Sequence, residues 1–94
     1  SEWTEASFHP YWSNGIAASP ESVRVSYWKQ PGAEDYLVAV ANWSDADVEA
    51  TIRLPAAMQR AGEGVDVEAG ETIPVAPMLR LRLGDHDVRV LRVR

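Results

Sequence analysis

Two runs of alternating side chains, joined by a short turn, restrict what this chain can fold into more than any other feature. In Val23-Arg24-Val25-Ser26-Tyr27-Trp28-Lys29, Val23, Val25 and Tyr27 fall on one side and Arg24, Ser26 and Trp28 on the other, the two-residue period of a β-strand. Gln30 to Asp35 contains the turn signal Pro31-Gly32, and Tyr36-Leu37-Val38-Ala39-Val40-Ala41-Asn42 follows. The pattern predicts a hairpin pairing 23–29 with 36–42. The second run is apolar on both sides, with Tyr36, Val38 and Val40 opposing Leu37, Ala39 and Ala41. It is expected to be a central strand covered on both faces.

The rest of the chain continues in the same idiom. Asp47 to Leu54 alternates strictly and is predicted as a third meander strand burying Val48, Ala50, Ile52 and Leu54. Ala56 to Ala61 favours helix but is too short to hold one in isolation, so 55–64 reads as a loop. Beyond it come a short strand, a tight Ala69-Gly70 turn and an extended piece that Pro74 confines to an edge or a strand start. Met78 to Leu83, the turn Gly84 to Asp87 and Val88 to Arg94 form an expected closing hairpin with Leu79, Leu81, Leu83, Val88 and Val90 inward. Leu91 breaks that phase and predicts a bulge at 90–92. Seven or eight short strands without an amphipathic helical window imply an all-β, antiparallel two-sheet β-sandwich. At 94 residues, one core accounts for the whole of 1–94 as a single domain.

Composition narrows the chemistry. The chain lacks cysteine, which excludes disulfides, thiolate metal ligands and cysteine nucleophiles, and it is compatible with a cytoplasmic or a secreted setting. No apolar run approaches the roughly 20 residues of a membrane-spanning helix, and no membrane partner is expected. The net charge of −5 conceals an asymmetry, because five of the nine cations (Arg80, Arg82, Arg89, Arg92 and Arg94) lie in the last fifteen residues. These arginines alternate with apolar residues, and the acidic balance repels phosphate backbones, so nucleic acid is not an expected partner.

Carboxylates cluster at Glu34 and Asp35, at Asp45, Asp47 and Glu49, and at Asp85 and Asp87. General acid–base catalysis needs a carboxyl whose pKa is raised by apolar surroundings or a like charge, whereas acids at turn tips are hydrated, so no catalytic residue is assigned. His86 stands between Asp85 and Asp87, but the only other histidine is His9, and the ligand spacings of zinc sites are missing. Gly84 to Asp87 reads as a turn, and neither a metal nor another cofactor is expected. Asn42-Trp43-Ser44 matches the N-glycosylation acceptor pattern, although an Asn-Ser turn that bonds the backbone is the stronger reading.

Aromatic residues are the sharper signal. Phe8, His9, Tyr11 and Trp12 crowd around Pro10, and the chain also carries Trp3, Tyr27, Trp28, Tyr36 and Trp43. Trp12, Trp28 and Trp43 are the candidate ligand-binding residues, since exposed rings stack on the C–H faces of sugars. Trp28 leads because it shares a face with Arg24 and Ser26. In the opening segment Pro10 points to an edge strand, with Phe8 and Trp12 expected as a core-facing plug, Tyr11 on the outer face and Asn14-Gly15 as the following turn.

A family pattern joins these pieces. The entry Phe8-x-x-Tyr11-Trp12, the hairpin end Val40-x-Asn42-x-Ser44, the turn Asp66-x-x-x-Gly70 and the closing His86-Asp87-x-Arg89-x-Leu91 resemble the C-terminal β-sandwich of large bacterial glycoside hydrolases that carry a TIM-barrel catalytic domain. The resemblance spans residues 8 to 93. It implies a non-catalytic accessory domain, the C-terminal part of a larger protein, that packs against and supports a catalytic barrel as its intramolecular partner. No catalytic residue transfers to this chain. A carbohydrate-binding module using exposed Trp and Tyr, or an immunoglobulin-like protein-interaction module, is the alternative.

Overall fold

The computed structural model describes Trp3 and residues 5–94. Among them nine strands form two antiparallel sheets: β1 (Ser7–His9), β2 (Ala17–Ser19), β3 (Val23–Lys29), β4 (Tyr36–Asn42), β5 (Val48–Arg53), β6 (Glu63–Asp66), β7 (Thr72–Pro74), β8 (Leu79–Leu83) and β9 (Val88–Val93). The larger sheet has the order β1-β3-β4-β9-β6-β7 and the smaller β2-β5-β8. This is the all-β sandwich that the alternation implied. The β3–β4 hairpin has the expected limits, with Val23 opposite Asn42 and Lys29 opposite Tyr36.

The core lies between the sheets. Val38, Val40, Leu91 and Val93 of the larger sheet face Ala50, Ile52, Leu79 and Leu83 of the smaller, all fully buried. Close packing of this kind makes each of these side chains sensitive to a change of even one methylene.

Several expectations are corrected. β5 is not a third meander strand: after β4 the chain crosses to the smaller sheet, where β5 pairs with β2 and β8. Its predicted inward set nevertheless holds, with Ala50, Ile52 and Leu54 buried and Val48 partly so. Likewise β8 and β9 do not form a hairpin, because the turn at 84–87 carries the chain from one sheet to the other. Two sheets each need strands facing one core, and an arch between them satisfies this as well as a hairpin does. No bulge interrupts β9, whose pairing with β4 runs unbroken from Val88 to Val93. Leu91 and Val93 define its inward phase, while Val88 and Val90 lie on the outer side; Val88 is exposed.

β4 is central in its sheet but is covered on one face. Tyr36, Val38, Val40 and Asn42 are buried, whereas Leu37, Ala39 and Ala41 on the outer side are only half-buried. Residues 56–59 form a one-turn helix, α1 (Ala56–Gln59), that drives Met58 into the core; tertiary burial supplies what the short segment lacks alone. Pro74 lies on β7, the edge strand, as a residue without an N–H must.

The opening segment departs most from expectation. Phe8 is 47% and Trp12 71% exposed, so neither plugs the core. Phe8 pairs opposite Trp28 and so takes the outer phase. The Pro10 carbonyl then accepts the N–H groups of Ser13 and Asn14, and this tight turn breaks any strand phase between Phe8 and Trp12. Tyr11 does take the outer side. Asn14 anchors the turn by donating from Nδ2 to the carbonyls of His9 (3.1 Å) and Val25 (2.8 Å), and Gly15 follows with φ +72°, a conformation that favours glycine.

Candidate functional site: an aromatic corner beside an apolar sheet face

Asn42 holds together the end of the sandwich where the site lies. It ends β4 at 1% exposure and reaches three segments that pass between the sheets. Its Nδ2 donates to the carbonyls of Ala46 (2.8 Å) and Gly84 (2.9 Å), and its Oδ1 accepts from the Ser22 hydroxyl (3.1 Å), the Ser44 N–H (3.1 Å) and the Ser44 hydroxyl (2.8 Å). Residues 20–22, 43–47 and 84–87 are thereby tied to one side chain. Both amide hydrogens are engaged, which is the turn-building role expected of Asn42 and which withholds its nitrogen from glycosylation in the folded chain.

The other positions of the family pattern also build structure. Asp66 accepts from the N–H groups of Glu68 (2.9 Å) and Ala69 (2.8 Å) and from Arg89 Nε (2.9 Å), so the turn motif and the closing-strand motif meet in one largely buried ion pair. The Ala69 N–H holds the Asp66 carboxyl below the usual carboxylate range against the opposing pull of burial, with Arg89 and the Glu68 N–H adding to it. Arg89 also donates to Glu71 (2.7 Å). His86 has φ 51° in the exposed turn and contacts Asp85, while Asp87 accepts the Val88 N–H at 2.9 Å. His9 lies elsewhere, stacked on Tyr27 with ring centroids 4.5 Å apart. Among the described residues, no three His, Asp or Glu side chains converge in a way that would hold a metal.

Trp43 follows Asn42 directly, and the tied end of β4 sets where it goes. In the β3–β4 register Arg24 is opposite Ala41, which brings Trp43, two residues on, beside Arg24. The Arg24 guanidinium carbon lies 5.3 Å from the centre of the Trp43 ring and 5.5 Å from that of Tyr11, within cation–π range of both. Tyr11 meets Trp43 edge-on at 5.2 Å and Trp12 edge-on at 5.1 Å. Its backbone N–H donates to the Ser26 hydroxyl at 3.0 Å, which fixes the loop over β3. Trp12 and Trp43 remain 71% and 55% exposed.

Of the three candidate ligand residues, the fold thus gathers Trp12 and Trp43 around Tyr11 and Arg24, and places Trp28 apart. Trp28 is four residues along β3 from Arg24, about 13 Å away, and it packs on Phe8 with ring centroids 4.8 Å apart. Tyr11 and Arg24, both of which the sequence places on outer faces, complete the cluster. The hairpin register carried the signal for Trp43 meeting Arg24. Nothing local carried the return of Tyr11 over β3.

Trp28 belongs to a row that crosses the outer face of the larger sheet, from Phe8 through Trp28, Leu37 and Arg92 to Val65. Beside it lie Ala39, Val90, Ala41 and Val88. Arg92 is held by Asp35 at 2.7 Å and extends over Trp3, its guanidinium carbon 5.6 Å from that ring. The Arg92 hydrogen bond holds the Asp35 carboxyl below its ordinary value, against burial.

The fold and the site define an all-β sandwich with an apolar outer face on its larger sheet and an exposed aromatic corner. In sequence the chain matches no protein-family model, and no curated protein matches it.

Proposed function

We propose that this chain is a non-catalytic accessory domain that docks the outer face of its six-stranded sheet onto a neighbouring catalytic domain. The resemblance to the C-terminal sandwiches of bacterial glycoside hydrolases names that neighbour as a TIM barrel. One observation carries the reading. Every large apolar side chain exposed among the described residues, namely Phe8, Trp12, Trp43, Val65, Val67 and Val88, lies on this face or at its corner. The outer face of the smaller sheet instead presents Glu49, Arg53, Arg80 and Arg82, all exposed. Such one-sided segregation is the signature of a surface that meets another protein.

Hydroxyl-radical footprinting of the isolated chain and of the complete product of its natural gene tests this. Docking predicts protection of Phe8, Val65 and Val88 in the complete product, with the protection of Phe8 lost in a Val65→Asp/Val88→Asp variant whose circular dichroism is unchanged. Equal labelling of the two forms would sink the proposal.

A second reading rests on a different feature. Trp12 and Trp43 are the most exposed tryptophans at the corner, and polar groups of Arg24 and Ser26 lie beside them, the combination that a carbohydrate-binding surface uses. Trp12 and Trp43 would then stay labelled after docking.

A further inference from the structure

We propose that the corner formed by Tyr11, Trp12, Arg24 and Trp43 binds a saccharide bearing a carboxylate, such as an oligouronate. This inference rests on the reading of that corner as a carbohydrate surface and adds the charge of the ligand.

Arg24 decides the class. Its Nη1 is used by the carbonyls of Glu21 and, at 3.4 Å, Val23, while Nε and Nη2 have no acceptor among the described residues and no carboxylate pairs with the group. Arg24 is half-buried, and its guanidinium packs beside both the Tyr11 and Trp43 rings, so its orientation is set before a ligand arrives. The free Nε–H and Nη2–H groups make one planar donor edge that matches a carboxylate, and a charge-assisted bond of this kind is about twice as strong as a neutral one. The same charge excludes quaternary ammonium ligands, which need rings free of a competing cation.

The rings supply the rest. Trp12, and the part of Trp43 that Arg24 does not cover, present exposed apolar ring surface suited to pyranose C–H groups, and both rings are held by edge contacts with Tyr11. An open groove of about 490 Å³ that shares Tyr11 and Arg24 with this corner is lined further by Ile16, Ala18, Glu21, Val23 and Val25. An extended chain of sugars has room to lie there. A saccharide is favoured over an acidic peptide because the exposed contact area is aromatic ring surface on Trp12 and Trp43, whereas a peptide would add to the 23–26 edge of β3 that β1 does not pair. Glu21 is the one carboxylate lining the groove, and its charge opposes an anion.

Isothermal titration of the chain with oligogalacturonate, with neutral cello- and xylo-oligosaccharides and with poly-glutamate reads this directly. Oligogalacturonate is expected to bind about tenfold more tightly than the neutral sugars, more weakly as salt rises, and to quench tryptophan fluorescence. Arg24→Gln should remove that preference, Arg24→Lys should keep only part of it, and Glu21→Gln should strengthen uronate binding. Thermal unfolding of each variant checks the fold. Equal binding of neutral and acidic sugars overturns the inference but leaves a carbohydrate surface standing. Absence of all saccharide binding overturns both, and binding of poly-glutamate alone replaces the saccharide with an acidic peptide.

Discussion

Removing the Asn42 side chain should loosen three inter-sheet passages at once. Asn42→Ala deletes two donated and three accepted hydrogen bonds and leaves the Ala46 and Gly84 carbonyls and the Ser44 N–H without this partner. A typical intramolecular hydrogen bond contributes about 1 kcal/mol net. Ala46 is exposed and Ser44 half-buried, so water replaces part of what they lose. A loss of about 3 kcal/mol is the resulting expectation. For a chain of this size that lowers Tm by about 12 to 24 °C. Asn42→Asp sharpens the test. It keeps the shape and the accepting oxygen but turns a carboxylate oxygen toward the Ala46 and Gly84 carbonyls, and it places a charge at a site only 1% exposed. At pH 7 it should therefore cost more than Asn42→Ala. Its folded-state pKa would lie above the unfolded value of about 3.9, so the penalty is largest above the folded pKa and fades as pH falls toward about 4. Urea unfolding followed by tryptophan fluorescence at pH 7 and pH 4.5 measures both effects. A loss under about 1 kcal/mol for Asn42→Ala, or an aspartate variant no worse than the alanine one at pH 7, would refute the reasoning.

Three further outcomes follow from the same geometry. Gly64→Ala places a methyl group 3.0 Å from Val93 Cγ2 and 3.2 Å from the Arg92 carbonyl oxygen, in the buried part of β6, and should cost about 1 to 3 kcal/mol by urea midpoint; an unchanged midpoint would show that β9 yields freely. Leu91→Ala should cost about 2 to 5 kcal/mol, and Val90→Ala under about 1, because Leu91 is fully buried and Val90 lies on the outer side; the reverse order would contradict the phase of β9. Asp35 and Asp66 both have folded-state pKa values below their unfolded ones, so the stability they contribute is present above about pH 4 and is lost as pH falls through the folded values. Replacing Asp66 by Asn should flatten the slope of stability against pH below 4, and an unaltered slope would count against its ion pair.

Much of the secondary structure was legible in the sequence because strands announce themselves by short-range alternation. The β3–β4 hairpin, the inward set Ala50, Ile52 and Leu54, and the edge position of Pro74 all follow from spacing and from single-residue chemistry. The end of β9 was misread for a related reason. In Val88-Arg89-Val90-Leu91-Arg92-Val93 apolar residues occupy both phases, and only the pairing of β9 between β4 and β6 selects Leu91 and Val93 for the core. The corner was half legible. Outer-face placement of Arg24, Trp28 and Tyr11 could be read, but the turn after Pro10 sent Trp12 outward and brought Tyr11 back over β3.

The amino-acid order alone settled that this chain is all-β, where its central hairpin lies, and that its packing dispenses with disulfides. Those properties depend on residues a few positions apart. The tertiary structure decided which sheet each strand joins, since a turn such as 84–87 can close a hairpin or arch between sheets with the same local sequence, and the choice depends on burying both sheets against one core. It also decided that Asn42 would bind three distant segments and that Trp43, Tyr11 and Arg24 would meet. Contacts across long stretches of chain are fixed by register and packing, and these have no counterpart in local spacing.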